Sequence, residues 1–398
     1  MLYERVEAEA VSAPGGGRLY AYGGIAVYEA VRPGISGALS LSGQLTNMPA
    51  MPTPDSTQEY DWAASVTGTM AVVLTGILPT TPDTTKAITD LRTKQVAARK
   101  ETVDAEIVDR SLAYGESVGK QIVDWANADN ARESHAKAKD YVVPANIPSD
   151  WVVTTPGRPP VEPYWGSVRP FGLPSSDICN VPLDMEFSTD PASTFYAQAN
   201  EVKTVGEKLT DEQKAIAQFW VDTPGETGTP AGHWVSITAQ LIKQTGRKLD
   251  KAAEALAMVG IAVGDAFIAC WDLKYKIMLM RPETFIQKYI RRSWRPYIQT
   301  PIFPEYVSGH SVVSETAAQV LTSIFGTIAF KDSTHQIYNH NDPPRPPRSF
   351  TSLEAAAQEA AISRLYGGIH FRVGIENGLK QGRCLAATIL SRVHLHAQ

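Results

Sequence analysis

Three short stretches in the C-terminal half concentrate groups that bind anions or move protons. In KYKIMLMRPE, Lys274 stands seven residues before Arg281, and Pro282 follows. Seven residues are about two helical turns, so the spacing predicts both cations on one helix face. From Lys274 to Pro296 there are seven Lys/Arg against one acid, Glu283, which makes the segment locally positive. In FPEYVSGHSVVSETAAQ, Ser308-Gly309-His310 comes directly before a helix expected to start at Ser311. A helix N-terminus presents unpaired N–H groups and the positive end of the dipole, a ready anion site. Gly309 lets the backbone come close to a ligand. Ser308 offers a hydroxyl, and His310 can exchange a proton near neutral pH. In AISRLYGGIHFRVGIENG, Arg364 ends a helix, Gly367-Gly368 turns the chain, and His370 and Arg372 follow. Arg364 offers a planar fork to an oxyanion. Taken singly, each stretch also reads as a solvated basic face, an N-capping serine or a core histidine. Their convergence within fewer than 100 residues points to one oxyanion pocket with proton-handling groups.

The elements that must position these groups are helical. The chain has 398 residues, enough for one large helical domain or two packed halves. Helices are predicted over Arg18–Arg32, Thr57–Ile77, Thr84–Asn127, Thr210–Val221, His233–Gln244, Lys248–Lys274, Ser311–Phe325, Ser352–Tyr366 and Ile375–Val393. Thr210-Asp211-Glu212-Gln213 forms a capping box. Asp129–Glu186 carries 9 of the 27 prolines, and Phe330–Arg348 ends in DPPRPPR, so both are expected as loops that cover or line something. The expected fold is all-α: a bundle over 1–128, a proline-rich wrapping loop and connecting helix over 129–209, and a catalytic bundle over 210–398.

Composition narrows the function. Net charge is 37 minus 42, or −5, which argues against nucleic acid as a partner. Three cysteines, Cys179, Cys270 and Cys384, exclude a disulfide scaffold and a zinc site of clustered thiolates. No unbroken apolar run reaches the roughly 18 residues of a membrane span. The start, MLYERVEAEA, has no secretory h-region. The expectation is therefore export with a leader preceding this numbering, or a cytoplasmic location if Met1 is the native start.

The order of these groups resembles the signature of the type 2 phosphatidic acid phosphatase and vanadium haloperoxidase superfamily, K-x6-R-P, P-S-G-H and S-R-x5-H. Lys274 with Arg281-Pro282, Ser308-Gly309-His310, and Ser363-Arg364 with His370 match it at intact spacing, with Val307 in place of the proline. Outside the signature, AYGGIAVYEAV, PYWGSVRPFGLP, TPAGHW and PIFPEYVSGHS look like bacterial vanadium-dependent haloperoxidases.

The resemblance implies a pocket for vanadate or phosphate. Lys274, Arg281 and Arg364 would neutralise its oxygens, and Ser308 and Gly309 would add hydrogen bonds. His370 would bind vanadium or, in a phosphatase, phosphorus, while His310 would act as acid–base group. The implied reaction oxidises halide, bromide or iodide before chloride, with hydrogen peroxide, and an organic acceptor and a homodimer are further expectations. A soluble acid phosphatase working through phospho-His370 is the alternative. A protein that only binds the anion would have no need of both histidines. His233 and Trp234 are expected to line the pocket, with Arg169 and Phe171 as further candidates. Many superfamily members carry an Asp four residues after the last histidine; here that position is Gly374, and Glu376 or a backbone carbonyl is the expected replacement.

Overall fold

The computed structural model describes residues 1–79, 81–144, 147–340 and 344–397. Asp342 and Pro343 of the DPPRPPR stretch lie outside the described residues.

Leu249–Ile277 runs through the centre of the molecule, and Ala13–Val31 packs along it. Small residues make this contact close. A Cβ on Gly24 would lie 2.2 Å from the Leu256 carbonyl oxygen, so glycine is required there. Leu249–Ile277 is long and apolar enough to cross a membrane by length and composition, but 94% of its apolar window is buried inside the protein. It is the core helix, which explains an apolar face on every side. Around it pack Thr229–Gln244, Gly309–Phe325 and Arg372–Arg392, and Leu353–Tyr366 packs on Gly309–Phe325. Trp62–Ile77 and Ala105–Asn127 form a second close pair beside Ala13–Val31. One contiguous apolar core runs through residues of both halves of the chain.

The helical class is as expected, with local differences. The single helix expected over Thr84–Asn127 is two, Pro82–Lys100 and Ala105–Asn127. The break falls at Thr102-Val103, and the Asp104 side chain caps the second helix by accepting from the Glu106 N–H at 2.8 Å. The loop over Asp129–Glu186 contains a short helix, Ala131–Lys137. A two-stranded antiparallel ribbon pairs Phe330–Asp332 with Arg348–Phe350. Cys179 and Cys384 form a disulfide that ties the proline-rich loop to the last helix across 205 residues. Three cysteines thus make one bridge, not a scaffold, and Cys270 is free and buried.

Lys274 and Arg281 do not share a helix face. Leu249–Ile277 ends at Ile277, with Met278 in the left-handed region at φ 54°. Arg281 precedes Pro282, whose ring disfavours helical dihedrals in the residue before it, and it adopts φ −78°, ψ 152° as the N-cap of Pro282–Tyr289. The two cations meet through this turn.

Candidate active site

A cavity of about 400 Å³ opens where these elements converge. Gly309, His310, Arg364 and His370 reach its surface, together with Asp222, Trp271 and Phe303. Lys274, Arg281 and Ser308 lie fully buried behind that surface.

Each group is held by its neighbours. Lys274 donates from Nζ to the carbonyls of Pro304 and Glu305, both at 2.9 Å. Burial, reinforced by Arg281, pulls its ammonium down to about 7. Arg281 donates from Nε to the Phe303 carbonyl at 3.0 Å and from Nη1 to the Ile369 carbonyl at 2.9 Å. Phe303 lies under both cations, 5.0 Å from Lys274 Nζ and 4.9 Å from the Arg281 guanidinium carbon. Ser308 caps Gly309–Phe325, accepting from the Ser311 N–H at 3.3 Å. The helix therefore begins two residues before Ser311 and carries Gly309 and His310 in its first turn. Arg364 donates to Ser363 Oγ at 2.9 Å and to the Ala217 carbonyl at 3.1 Å.

His370 has a carboxylate partner that the local pattern does not reveal. Its Nδ1 lies 2.8 Å from Glu305 Oε1, which also accepts from the Phe371 N–H at 2.9 Å. Neither expected replacement, Glu376 or a carbonyl, fills this role. Gly374 is small for the same reason, since a Cβ there would sit 2.4 Å from Glu305 Oε1. The carboxylate has moved from the helix after His370 to the segment before Ser308. Burial pushes Glu305 up to about 7 against the pull of Arg281 and Lys274. With Nδ1–H directed at Glu305, Nε2 carries the lone pair and faces Arg281 Nη1 at 3.1 Å. Burial and the surrounding cations lower the His370 pKa well below its ordinary value, so it is neutral and can act as a ligand.

His310 is also neutral. Burial and Arg364 lower it to about 3, against Asp222. Its Nε2 is buried without a hydrogen-bond partner. Arg281 Nη2 is likewise buried and unpaired. An unpaired guanidinium donor, a helix N-terminus, and a histidine lone pair around one cavity fit an oxyanion with a metal centre. The donor set matches vanadate or phosphate chemically.

His233 and Trp234 do not line the cavity. His233 lies one layer behind it, with Nδ1 3.0 Å from Asp222 Oδ2 and Nε2 2.7 Å from Asp332 Oδ2. Trp234 donates from Nε1 to Ser314 Oγ at 2.9 Å. Arg169 and Phe171 are structural too. Arg169 donates to Tyr22 Oη and the Trp125 carbonyl, and the Phe171 N–H donates to Asp265 at 2.6 Å. The PYWGSVRPFGLP phrase thus docks the wrapping loop on the core helix. Asp222, His233 and His335 bring possible ligand atoms within 4.8 Å of one another, a candidate metal group, though both nitrogens of His233 already face carboxylates. Asp222, Glu305 and Asp332 carried no local signal, because their partners lie 11, 65 and 99 residues away.

The family profile described as the VCPO second helical-bundle domain matches residues 254–398. No curated protein matches the chain. A solved bacterial vanadium-dependent iodoperoxidase is similar over 100% of this chain and 95% of its own, at 35% identity and TM-score 0.92. A holo-type bacterial vanadium-dependent chloroperoxidase covers 96% of this chain and 93% of its own, at 15% identity and TM-score 0.72, a likeness of fold. With full-length similarity at 35% identity, the chain belongs to the bacterial vanadium-dependent haloperoxidases.

Proposed function

We propose that this haloperoxidase oxidises iodide, and bromide more slowly, with hydrogen peroxide. Vanadate would be held by Lys274, Arg281, Ser308, Gly309 and Arg364, with His370 Nε2 as the vanadium ligand. The observation that carries the reading is His370 fixed by Glu305 with its Nε2 turned toward Arg281, beside the unpaired Arg281 Nη2 and His310 Nε2. Bound vanadate supplies a Lewis-acid centre that makes peroxide electrophilic toward halide. The fixed cations stabilise the negative charge that develops on the peroxide oxygens. His310, on the cavity wall, would take a proton from peroxide and return it to the departing oxygen. Halide, peroxide and one proton then give hypohalous acid and water. The preference for iodide rests on its easier oxidation and on the 35% identity to a protein named as an iodoperoxidase.

We also propose export to an oxidising compartment, because the Cys179–Cys384 bridge is of a kind rare in reducing cytosol. The test is to load the purified protein with orthovanadate and follow peroxide-dependent oxidation of iodide, bromide and chloride, with phosphate-ester hydrolysis measured in parallel. Iodide turnover, and loss of vanadate to excess inorganic phosphate, are expected. Ester hydrolysis without halide oxidation would replace the reading with the phosphatase.

A further inference from the structure

The buried histidine behind the cavity wall is in an unusual state. His233 is fully buried, and each ring nitrogen faces a buried aspartate. A neutral imidazole donates from one nitrogen only, whereas two carboxylate acceptors require both to carry protons. His233 is therefore an imidazolium shared by Asp222 and Asp332. Burial opposes this charge, but the two carboxylates raise its pKa to about 10. The only other titratable ring packed on it among the described residues is His335, edge-on with ring centroids 5.4 Å apart.

Both ends of this unit are anchored. Asp332 lies at the end of the two-stranded ribbon, and its Oδ1 accepts from the Thr334 N–H at 2.9 Å, from Thr334 Oγ1 at 2.7 Å and from Gln240 Nε2 at 3.3 Å. That leaves Oδ2 for His233. The ribbon in a helical protein thus has a local purpose: it carries a carboxylate into the helical core. On the other side, His233 touches the segment Trp220–Asp222 twice. Its Nδ1 meets both oxygens of Asp222, at 3.2 and 3.0 Å. Its ring stacks on Trp220, with centroids 4.6 Å apart and 24° between planes. The same segment reaches the site: Asp222 lines the cavity beside His310 and Arg364.

We propose that His233, clamped between Asp222 and Asp332, is a positioning residue for the haloperoxidase: it fixes the Trp220–Asp222 segment, which shares the cavity wall with His310 and Arg364 and holds His310 in its working orientation. The proposal rests on the reading of His310 as the acid–base group. His233 itself touches neither the cavity nor the groups that would hold the oxyanion. Its loss would misplace His310 while leaving Lys274, Arg281 and His370 on their own supports.

Two measurements test this. The first uses wild-type protein labelled with ¹⁵N-histidine and needs no cofactor. One histidine should keep both ring nitrogens protonated at pH 9, and this signature should vanish or shift in Asp332→Asn. No doubly protonated histidine at pH 9 overturns the clamp. The second is a double-mutant cycle on vanadate-loaded enzyme. His233→Gln should retain vanadate within about threefold and lower kcat by about tenfold or more, the scale of a misplaced acid–base group. In the His310→Ala background the same change should cost less than about threefold, because the group it positions is gone. Equal fold-losses in both backgrounds, or loss of vanadate on the scale of His370→Ala, overturn the proposal. If His233→Gln does not fold, Asp332→Asn carries the same comparison. Failure of both to fold assigns the clamp to stability and overturns the positioning role. Wild-type protein with no halide oxidation would instead sink the functional reading, with the ¹⁵N signature still in place.

Discussion

The displaced carboxylate offers the sharpest single perturbation. Glu305→Gln keeps the shape of the side chain and leaves an oxygen able to accept from His370 Nδ1 and the Phe371 N–H, at present 2.8 and 2.9 Å away. Two opposing effects follow. Removing a negative charge beside Lys274 and Arg281 makes the cage more positive, which alone would tighten oxyanion binding. Against this, a charge-assisted hydrogen bond to His370 becomes a neutral one, a loss of about 1–2 kcal/mol that bears directly on Nε2 basicity. The amide can also turn its NH₂ toward Nδ1, which forces the proton onto Nε2 and removes the metal lone pair. The Glu305 Oε2 site has no partner, so the new NH₂ group would sit buried and unpaired unless it turned this way. The hydrogen-bond effect should win, because removing carboxylates behind ligating histidines typically costs about 10- to 100-fold in metal affinity or activity. Vanadate affinity measured by calorimetry, with halide oxidation in parallel, should therefore fall by about 10- to 100-fold in Glu305→Gln. A second variant checks the cause. Gly374→Asp alone should destabilise the protein, since its Cβ would meet Glu305 Oε1 at 2.4 Å. Combined with Glu305→Ala, it should restore the carboxylate from the helix side and recover much of the lost affinity. If Glu305→Gln bound vanadate as tightly as wild type or more tightly, the Coulomb effect would dominate, and Glu305 would not be the residue that sets the His370 tautomer.

The two histidines of the site should fail differently: His370→Ala should lose vanadate retention, while His310→Ala should keep affinity within about tenfold and lose about 100-fold in turnover, read by gel filtration of loaded protein and by steady-state kinetics. Acid should act on the buried histidines. Burial lowers His310 to about 3, His335 to about 4 and His370 well below its ordinary value, so each costs stability as pH falls from 6.5 toward those values, while the Glu305 and Asp265 carboxyls, raised to about 7, act in the opposite sense. Each extra proton bound by the unfolded chain adds about 1.4 kcal/mol per pH unit, so His310→Gln should lower the slope of denaturant-derived stability between about pH 6 and 4 by about that amount. An unchanged slope would mean that His310 is not held neutral. Cys384→Ser opens a 205-residue loop and should cost about 2–5 kcal/mol, seen as a lower midpoint in chemical denaturation.

What the sequence determined by itself is the chemistry that acts over short separations. The helical class, the Ser308 cap, and the intact order Lys274, Arg281, Ser308-Gly309-His310, Arg364 and His370 were legible because residue type and local spacing dictate them. Local rules also governed the turn at Arg281, which departs from expectation. Pro282 excludes helical dihedrals at Arg281, a signal present in the sequence but outweighed there by the seven-residue spacing. Tertiary structure alone decided the partners. Glu305 reaches His370 across 65 residues and excludes a side chain at Gly374. Asp332 reaches His233 across 99 residues by way of a ribbon with little strand signal, and Cys179 finds Cys384 across 205. A buried polar group must find a partner wherever packing brings one within hydrogen-bond distance, and that place depends on how whole helices stack. The anion-binding groups therefore announce themselves in the chain, while the groups that hold them in their working tautomers become visible only in the folded core.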